Sequence, residues 1–177
     1  MPIMNRRIGG ACVLAAALPW SAFVHAAETV KIGFVMPFSG PAASYGVDAR
    51  QAAEPAVKEI NPTSKRKLEL VLEDDKGTPQ GAMSATQKQI AMNKMNAVVG
   101  GMGSQLALAQ SAVTKNRVLY INTAAQGDAI MDQGHKWLFQ ISNTSSMNAE
   151  GFHQYIIGTL KPKTIVFGGG LPRLYRA

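Results

Sequence analysis

Apolar and polar positions along this chain follow two rhythms. Short runs that are apolar almost throughout, TVKIGFVM (29–36), KLELVL (67–72), AVVG (97–100) and VLYIN (118–122), each predict a buried strand. Helical spacing lies between them. In VDARQAAEPAVKEIN, Ala49, Ala52, Ala53, Ala56, Val57 and Ile60 fall on one face. Pro55 within it removes a helical hydrogen bond, at a cost of about 3 kcal/mol, and predicts a kink. A second helix is predicted from Gln80 to Lys94, with Met83, Gln87, Ile90 and Ala91 inward. A third is predicted over SQLALAQSAVTKN, with Ser104 placed to cap it. Trp137 to Ser142 reads as a fifth extended segment, Asn148 to Leu160 as a helix and Thr164 to Phe167 as one more strand.

Apolar strands alternating with helices predict an α/β fold. Its form is a three-layer open parallel sheet with helices on both faces. Ligands of such sheets sit outside the carboxyl ends of the strands. The four loops that leave those ends, PFSGPAASYG, EDDKGTPQG, GGMGSQ and NTAAQGDA, are rich in Gly, Ser, Thr and Ala. Small residues expose backbone N–H groups and hydroxyls, and the third loop runs straight into a helix start, which favours an anion. Ser104 therefore has two readings, as a hydroxyl donor to a carboxylate or as the cap of its own helix.

Enzyme signatures are missing. The chain has neither a G-x-S-x-G nucleophile elbow nor a G-x-x-x-x-G-K-[ST] phosphate loop. His135 and His153 have no metal-ligand partner at a useful spacing and read as surface or helix-face residues, so neither a metal nor a cofactor is expected. Asp74 and Asp75 are adjacent, which on a strand points them to opposite faces. They read as the end of a strand and the start of a turn.

The first 26 residues have another logic. Two arginines in MPIMNRR, the apolar run IGGACVLAAALPWSAFV and the small residues of VHAAE have the layout of a secretory signal peptide cleaved after Ala26, with Ala27 as the neighbouring alternative. An uncleaved anchor over Ile8 to Ala27 is the competing reading, opposed by Pro19, His25 and the small-residue exit. Cleavage removes Cys12, the one cysteine, and with it any disulfide. Without Arg6 and Arg7 the 18 basic residues become 16, against 11 acidic ones. These charges are scattered and not interleaved with aromatic residues, so a nucleic-acid partner is not expected.

The order of the pieces VKIGFVMPFSGPAASYG, AVKEIN, KLELVLEDDKGTPQGA, AVVGGMGS, VLYINTAA and LKPKTIVF resembles the first lobe of periplasmic solute-binding proteins of type I, over about residues 29 to 167. The subgroup resembled is the leucine-binding type, which serves ATP-driven (ABC) importers of branched-chain amino acids. This resemblance implies a periplasmic receptor that closes two lobes around an amino acid or related carboxylate and partners a membrane permease. It places the carboxylate-binding hydroxyl on Ser104 and the backbone contacts on Ala124 and Ala125. An aromatic contact falls on Tyr45, and Gln126 stands where many relatives have Thr or Ser. The loops that some relatives join by a disulfide carry Gly77 and Gly103 instead.

The resemblance divides the chain into a signal peptide (1–26), a first lobe (27–160) and the start of a second lobe with an aberrant tail (161–177). GGGLPRLYRA (168–177) lacks the helix that a phosphate loop needs and departs from the family's continuation, so the reading is of a truncated chain with impaired binding. A ligand-sensing receptor domain and an exported hydrolase are the readings from other classes. The first needs a transmembrane and signalling segment, and the second a nucleophile–base pair. Aromatic acids and small amides stay open as solutes.

Overall fold

The computed structural model describes residues 29–166; the signal peptide expected over residues 1–26, Ala27, Glu28 and residues 167–177 lie outside them. Five strands, β1 (Val30–Met36), β2 (Leu68–Asp74), β3 (Ala97–Gly100), β4 (Leu119–Asn122) and β5 (Leu138–Gln140), form one sheet in the order β2-β1-β3-β4-β5. Every neighbouring pair is parallel. Four α-helices accompany them: α1 (Ala43–Ile60), α2 (Pro79–Ala91), α3 (Ser104–Thr114) and α4 (Ser145–Tyr155). A 3-10 helix (Asp128–Gln133) precedes β5, and a π-helical turn (Ile156–Leu160) continues α4.

Right-handed crossovers from β1 to β2 and from β2 back to β3 put α1 and α2 on opposite faces. The contacts agree. A side chain on Gly33 would meet Gln89 of α2 and Met95, whereas Leu72 shares a groove with Val47 and Arg50 of α1. Helices α2 and α3 pack side by side on the first face. Below them Val35, Val98, Tyr120, Ile130 and Leu138 form the core with Ala85, Ala107 and Ala125. The second face is covered by α1 near β1 and β2. Phe139 and Ile141 stay exposed, and α4 buries none of its residues.

Several expectations change. Helix α1 begins at Ala43, within the stretch read as loop, with Gly46 buried against the Pro37 carbonyl. It runs on through Pro55, and both Pro55 and Gln51, whose carbonyl loses a helical donor there, are exposed. Of its predicted face, Ala49, Ala53 and Val57 are half-buried, while Ala52, Ala56 and Ile60 are exposed.

The inward side of α2 is not Met83, Gln87 and Ala91, which are exposed; Ile90 alone of that set packs on the core. Ala82, Ala85, Thr86 and Gln89 are the buried ones. Small residues let the helix approach the sheet closely, and the two polar side chains are satisfied by backbone. Thr86 donates to the Ala82 carbonyl at 2.7 Å, and Gln89 donates to that of Val71 at 2.8 Å. Helix α4 starts three residues before its predicted onset, capped by Thr144, which accepts the Met147 N–H. Thr164 to Val166 form no strand; they are exposed, with no ladder partner among the described residues.

His135 is a further correction. It is buried, its Nδ1 accepting the Trp137 N–H at 3.1 Å and its Nε2 lying 3.3 Å from the Thr114 hydroxyl. Burial, aided by the Lys115 charge, lowers its pKa.

Candidate functional site

Parallel pairing brings the carboxyl ends of all five strands to one edge, and the strand order reverses between β1 and β3. That is the switch point where open α/β sheets take ligands. The predicted site residues occupy the loops after β1, β3 and β4, three adjacent strands. Tyr45 stands in the first turn of α1, 56% exposed. Ser104 opens α3. Ala124, Ala125 and Gln126 follow β4.

Ser104 does not cap its helix; Gly103 holds the cap position in an extended conformation. Ser104 is the first helical residue, and its Oγ accepts the Gly127 N–H at 3.1 Å. The close approach depends on Gly127, where a Cβ would stand 2.9 Å from that Oγ. This hydrogen bond ties the loop after β3 to the loop after β4. As acceptor in that bond, Ser104 keeps its own O–H available to donate.

The loop after β4 is held by a residue that sequence reasoning passed over. Asn122 is fully buried, with Nδ2 donating to the Ala125 carbonyl at 2.7 Å and to Gln140 Oε1 at 3.1 Å. Its Oδ1 accepts the Ala125 N–H at 3.2 Å. Ala125 is therefore a buried anchor whose amide is already engaged. Ala124 and Gln126 are exposed, and their N–H groups have no partner among the described residues. The Gln126 carbonyl accepts the Ser145 N–H at 2.7 Å and the Ser145 hydroxyl at 3.1 Å, fastening the start of α4 to the same loop. Thr123 adds a second clasp, donating both its N–H and its hydroxyl to the Gly100 carbonyl.

Beneath the loops lies a polar relay. The Tyr120 hydroxyl donates to Gln110 Oε1 at 2.8 Å, and Gln110 Nε2 donates to the Val35 carbonyl at 3.3 Å. Burial, with the Asp75 charge adding to it, pushes the Tyr120 hydroxyl far above its ordinary pKa, so it stays a donor.

The neighbouring aspartates have the turn-forming role read from sequence. Asp74 Oδ1 accepts the N–H groups of Phe38 and Lys76, each at 2.8 Å, and Asp75 Oδ1 accepts that of Gly77 at 2.8 Å. Their titrations diverge. Burial alone would raise Asp74, but hydrogen bonds from the Ser39 side chain and the N–H groups of Lys76, Phe38 and Ser39 outweigh it and lower the pKa. Asp75 is raised, first by burial and then by the Asp74 charge against the Gly77 N–H. Its Oδ2 is buried without a partner among the described residues.

The Asp74 shift makes a prediction. A lowered folded pKa contributes stability that is present above the unfolded value of 3.8 and lost as pH falls through the folded one. Asp74→Ala is expected to cost about 1 kcal/mol at pH 7, most of the carboxylate field being screened by solvent. Urea unfolding at pH 7 and at about pH 2.5 checks this, the difference shrinking at the lower pH.

A family model described as a periplasmic binding protein matches residues 29–170, most of the chain and all of this sheet. The chain belongs to the periplasmic binding protein family. Among the relatives of this periplasmic binding protein is Leu/Ile/Val-binding protein homolog 3 of Brucella melitensis, 28% identical over 98% of the chain and 50% of the relative. Another is the leucine-, isoleucine-, valine-, threonine- and alanine-binding protein of Pseudomonas aeruginosa, 28% identical over 82% of the chain and 40% of the relative. Among solved structures, the branched-chain amino acid transporter substrate binding protein of Streptococcus pneumoniae in complex with isoleucine superposes with a TM-score of 0.68. It is 30% identical, over 76% of this chain and 39% of that one. A solute binding protein of an ABC transporter from Rhodopseudomonas palustris, in complex with 3,4-dihydroxy benzoic acid, gives a TM-score of 0.61. It is 27% identical, over 66% of this chain and 32% of that one. The chain spans about half the length of the curated relatives it matches.

Proposed function

We propose that this chain supplies one lobe of an extracytoplasmic receptor for an ABC importer of branched-chain or related amino acids. It binds a solute carboxylate without chemistry and works with a membrane permease in the periplasm. The single observation that carries the reading is the Ser104–Gly127 bond. It leaves the Ser104 O–H beside the Ala124 and Gln126 amides, at the start of a helix whose dipole favours an anion. Tyr45, on the rim after β1, is the aromatic wall against which the solute's apolar part rests. The family is one of periplasmic binding proteins, the Pseudomonas aeruginosa relative is named for binding leucine, isoleucine, valine, threonine and alanine, and the Streptococcus pneumoniae structure holds isoleucine.

In intact two-lobed receptors each lobe contributes part of the contacts and hinge closure completes the site. Residues 27–160 are the first lobe in this reading, and 161–177 begin the second. The chain alone therefore holds half a site. Its expected affinity is in the millimolar range, which corresponds to about −4 kcal/mol. Saturation-transfer NMR with leucine checks this. Signal is expected at millimolar solute, and Ser104→Ala weakens binding about tenfold while leaving the melting temperature within a few degrees. Equal binding by Ser104→Ala and the parent chain rules out the assignment of Ser104.

The second reading is an aromatic carboxylate, favoured by the 3,4-dihydroxy benzoic acid of the Rhodopseudomonas palustris structure. Both solutes present a carboxylate to Ser104 and differ in the group facing Tyr45. Competition between leucine and 3,4-dihydroxybenzoate in the same experiment separates them.

A further inference from the structure

Helix α4 is fastened to the rest of the chain at the candidate site. None of its residues is buried. Among the described residues, the hydrogen bonds that leave the segment 143–161 all go to Gln126 and Asp128. Ser145, the first helical residue, gives its N–H to the Gln126 carbonyl at 2.7 Å and its hydroxyl to the same oxygen at 3.1 Å. The Ser146 N–H donates to Asp128 Oδ1 at 3.4 Å, and hydrogen bonds from the Thr144 and Ser146 side chains lower the Asp128 pKa. Two of the N–H groups that a helix start leaves without a helical partner are thus satisfied from the loop after β4 and the residue just beyond it.

The Gln126 carbonyl and the Gly127 N–H belong to one peptide unit, and that unit faces two ways. Its carbonyl receives α4, and its N–H donates to Ser104 Oγ at 3.1 Å. Ser104 in turn keeps its own O–H to donate. The donors therefore run head to tail, from Ser145 to the Gln126 carbonyl, from Gly127 to Ser104, and from Ser104 onward. In such a chain each bond polarises the next, strengthening it by roughly 10–30%. The peptide unit carries the effect across, because its C=O and N–H share one resonance system in a rigid plane.

We propose that the Gln126–Gly127 peptide couples the solute site to α4, with Ser145 as a positioning residue for that site. A carboxylate that takes the Ser104 hydroxyl as donor makes Oγ a better acceptor for the Gly127 N–H. The peptide so polarised holds Ser145 more firmly. By thermodynamic reciprocity, the firmer attachment favours the solute by the same factor. Helix α4 follows the last strand of the sheet, so an occupied site fixes the direction in which the chain leaves it. The solute step rests on the carboxylate reading given above. The relay from Ser104 to α4 stands without solute.

The test is solvent exchange of single amides in the purified chain, read by NMR. Without solute, Ser104→Ala is expected to speed exchange at Ser145 about threefold. Thr123 and Ala125, bonded to Gly100 and Asn122 in the same loop, keep their parent rates. In the opposite direction, Ser145→Pro speeds exchange at Gly127 by about the same factor. Proline suits that position, because it opens the helix and the preceding Thr144 is extended, with ψ 162. The variant removes both bonds to Gln126 and leaves α4 formed, which circular dichroism checks. Leucine at about 50 mM is expected to slow exchange at Ser145 of the parent about threefold, and Ser145→Pro to bind leucine about threefold more weakly. Unchanged exchange at Ser145 in Ser104→Ala overturns the relay, whatever the solute. So does an acceleration shared equally by Thr123 and Ala125, which marks a general loosening. Leucine shifts at Ala124 and Gln126 without slowing at Ser145, or parent affinity in Ser145→Pro, overturn the coupling and leave the carboxylate site standing. Absence of leucine shifts in the parent fells the carboxylate reading and the coupling with it, while the solute-free arms still decide the relay.

Discussion

Gly101→Val is expected to destabilise the fold by about 3–5 kcal/mol and to loosen the loops that carry Ser104 and Ala124. Gly101 follows β3 with φ +90, a conformation that β-branched residues avoid. Space is lacking too. A Cβ there would lie 2.3 Å from Asn122 Oδ1 and 2.9 Å from the Tyr120 hydroxyl. Asn122 cannot withdraw without releasing the Ala125 N–H that its Oδ1 accepts, so the backbone has to move. Strain at such a φ contributes about 1–3 kcal/mol and overpacking a similar amount. Urea unfolding measures the loss. Amide exchange at Ala125 and Gly127 is expected to accelerate, because both N–H groups depend on the same loop geometry. A variant as stable as the parent contradicts this description of the loop.

Tyr120→Ala comes next, with an expected loss of about 4 kcal/mol. The side chain is fully buried at the centre of the core formed by β1, β3 and β4 with α2 and α3. Its removal leaves a cavity and strands Gln110 Oε1, a buried acceptor. Tyr120→Phe separates the two effects, since it keeps the ring and deletes the hydroxyl that donates at 2.8 Å. Its cost is expected to be about 1–2 kcal/mol, the penalty for an unsatisfied buried acceptor. If Phe costs as much as Ala, the hydroxyl relay and not the packing carries the stability of this region.

Much of the fold was legible because the central strands β1 and β3 are covered on both faces. Val30–Met36 and Ala97–Gly100 need no alternation, so their apolar runs, broken only by Lys31, announce both their existence and their parallel pairing. Helix faces were harder. On α2 the larger apolar residue, Met83, is outside, and Ala82, Ala85, Thr86 and Gln89 are inside. Side-chain size pointed the wrong way because α2 lies close to the sheet and its buried polar groups bond to nearby backbone. His135 gives no sequence signal at all, since its second ring nitrogen meets Thr114, a partner 21 residues away that only the fold brings to it.

The site divides in the same manner. That the loops carrying the candidate residues meet at one edge could be read, because parallel strands must bring the loops after β1, β3 and β4 together there. The site's internal bonds could not. Ser104 looked like a cap because serine before a helical run usually is one. That its Oγ instead accepts the Gly127 N–H depends on two loops meeting across the sheet. Asn122 was read as the last residue of a strand, whereas its amide organises the loop that follows it.

The most direct test of the account is a two-dimensional amide NMR titration of the chain with leucine up to about 50 mM, enough to load a millimolar site. Saturable shifts are expected at Ala124, Gln126 and Gly127 and at the first turn of α3, smaller ones near Tyr45, and none at Lys94 or Lys115 on the opposite edge. The same shifts should be lost in Ser104→Ala. Shifts that are absent throughout, or that cluster away from the carboxyl ends of β3 and β4, contradict the proposed carboxylate site.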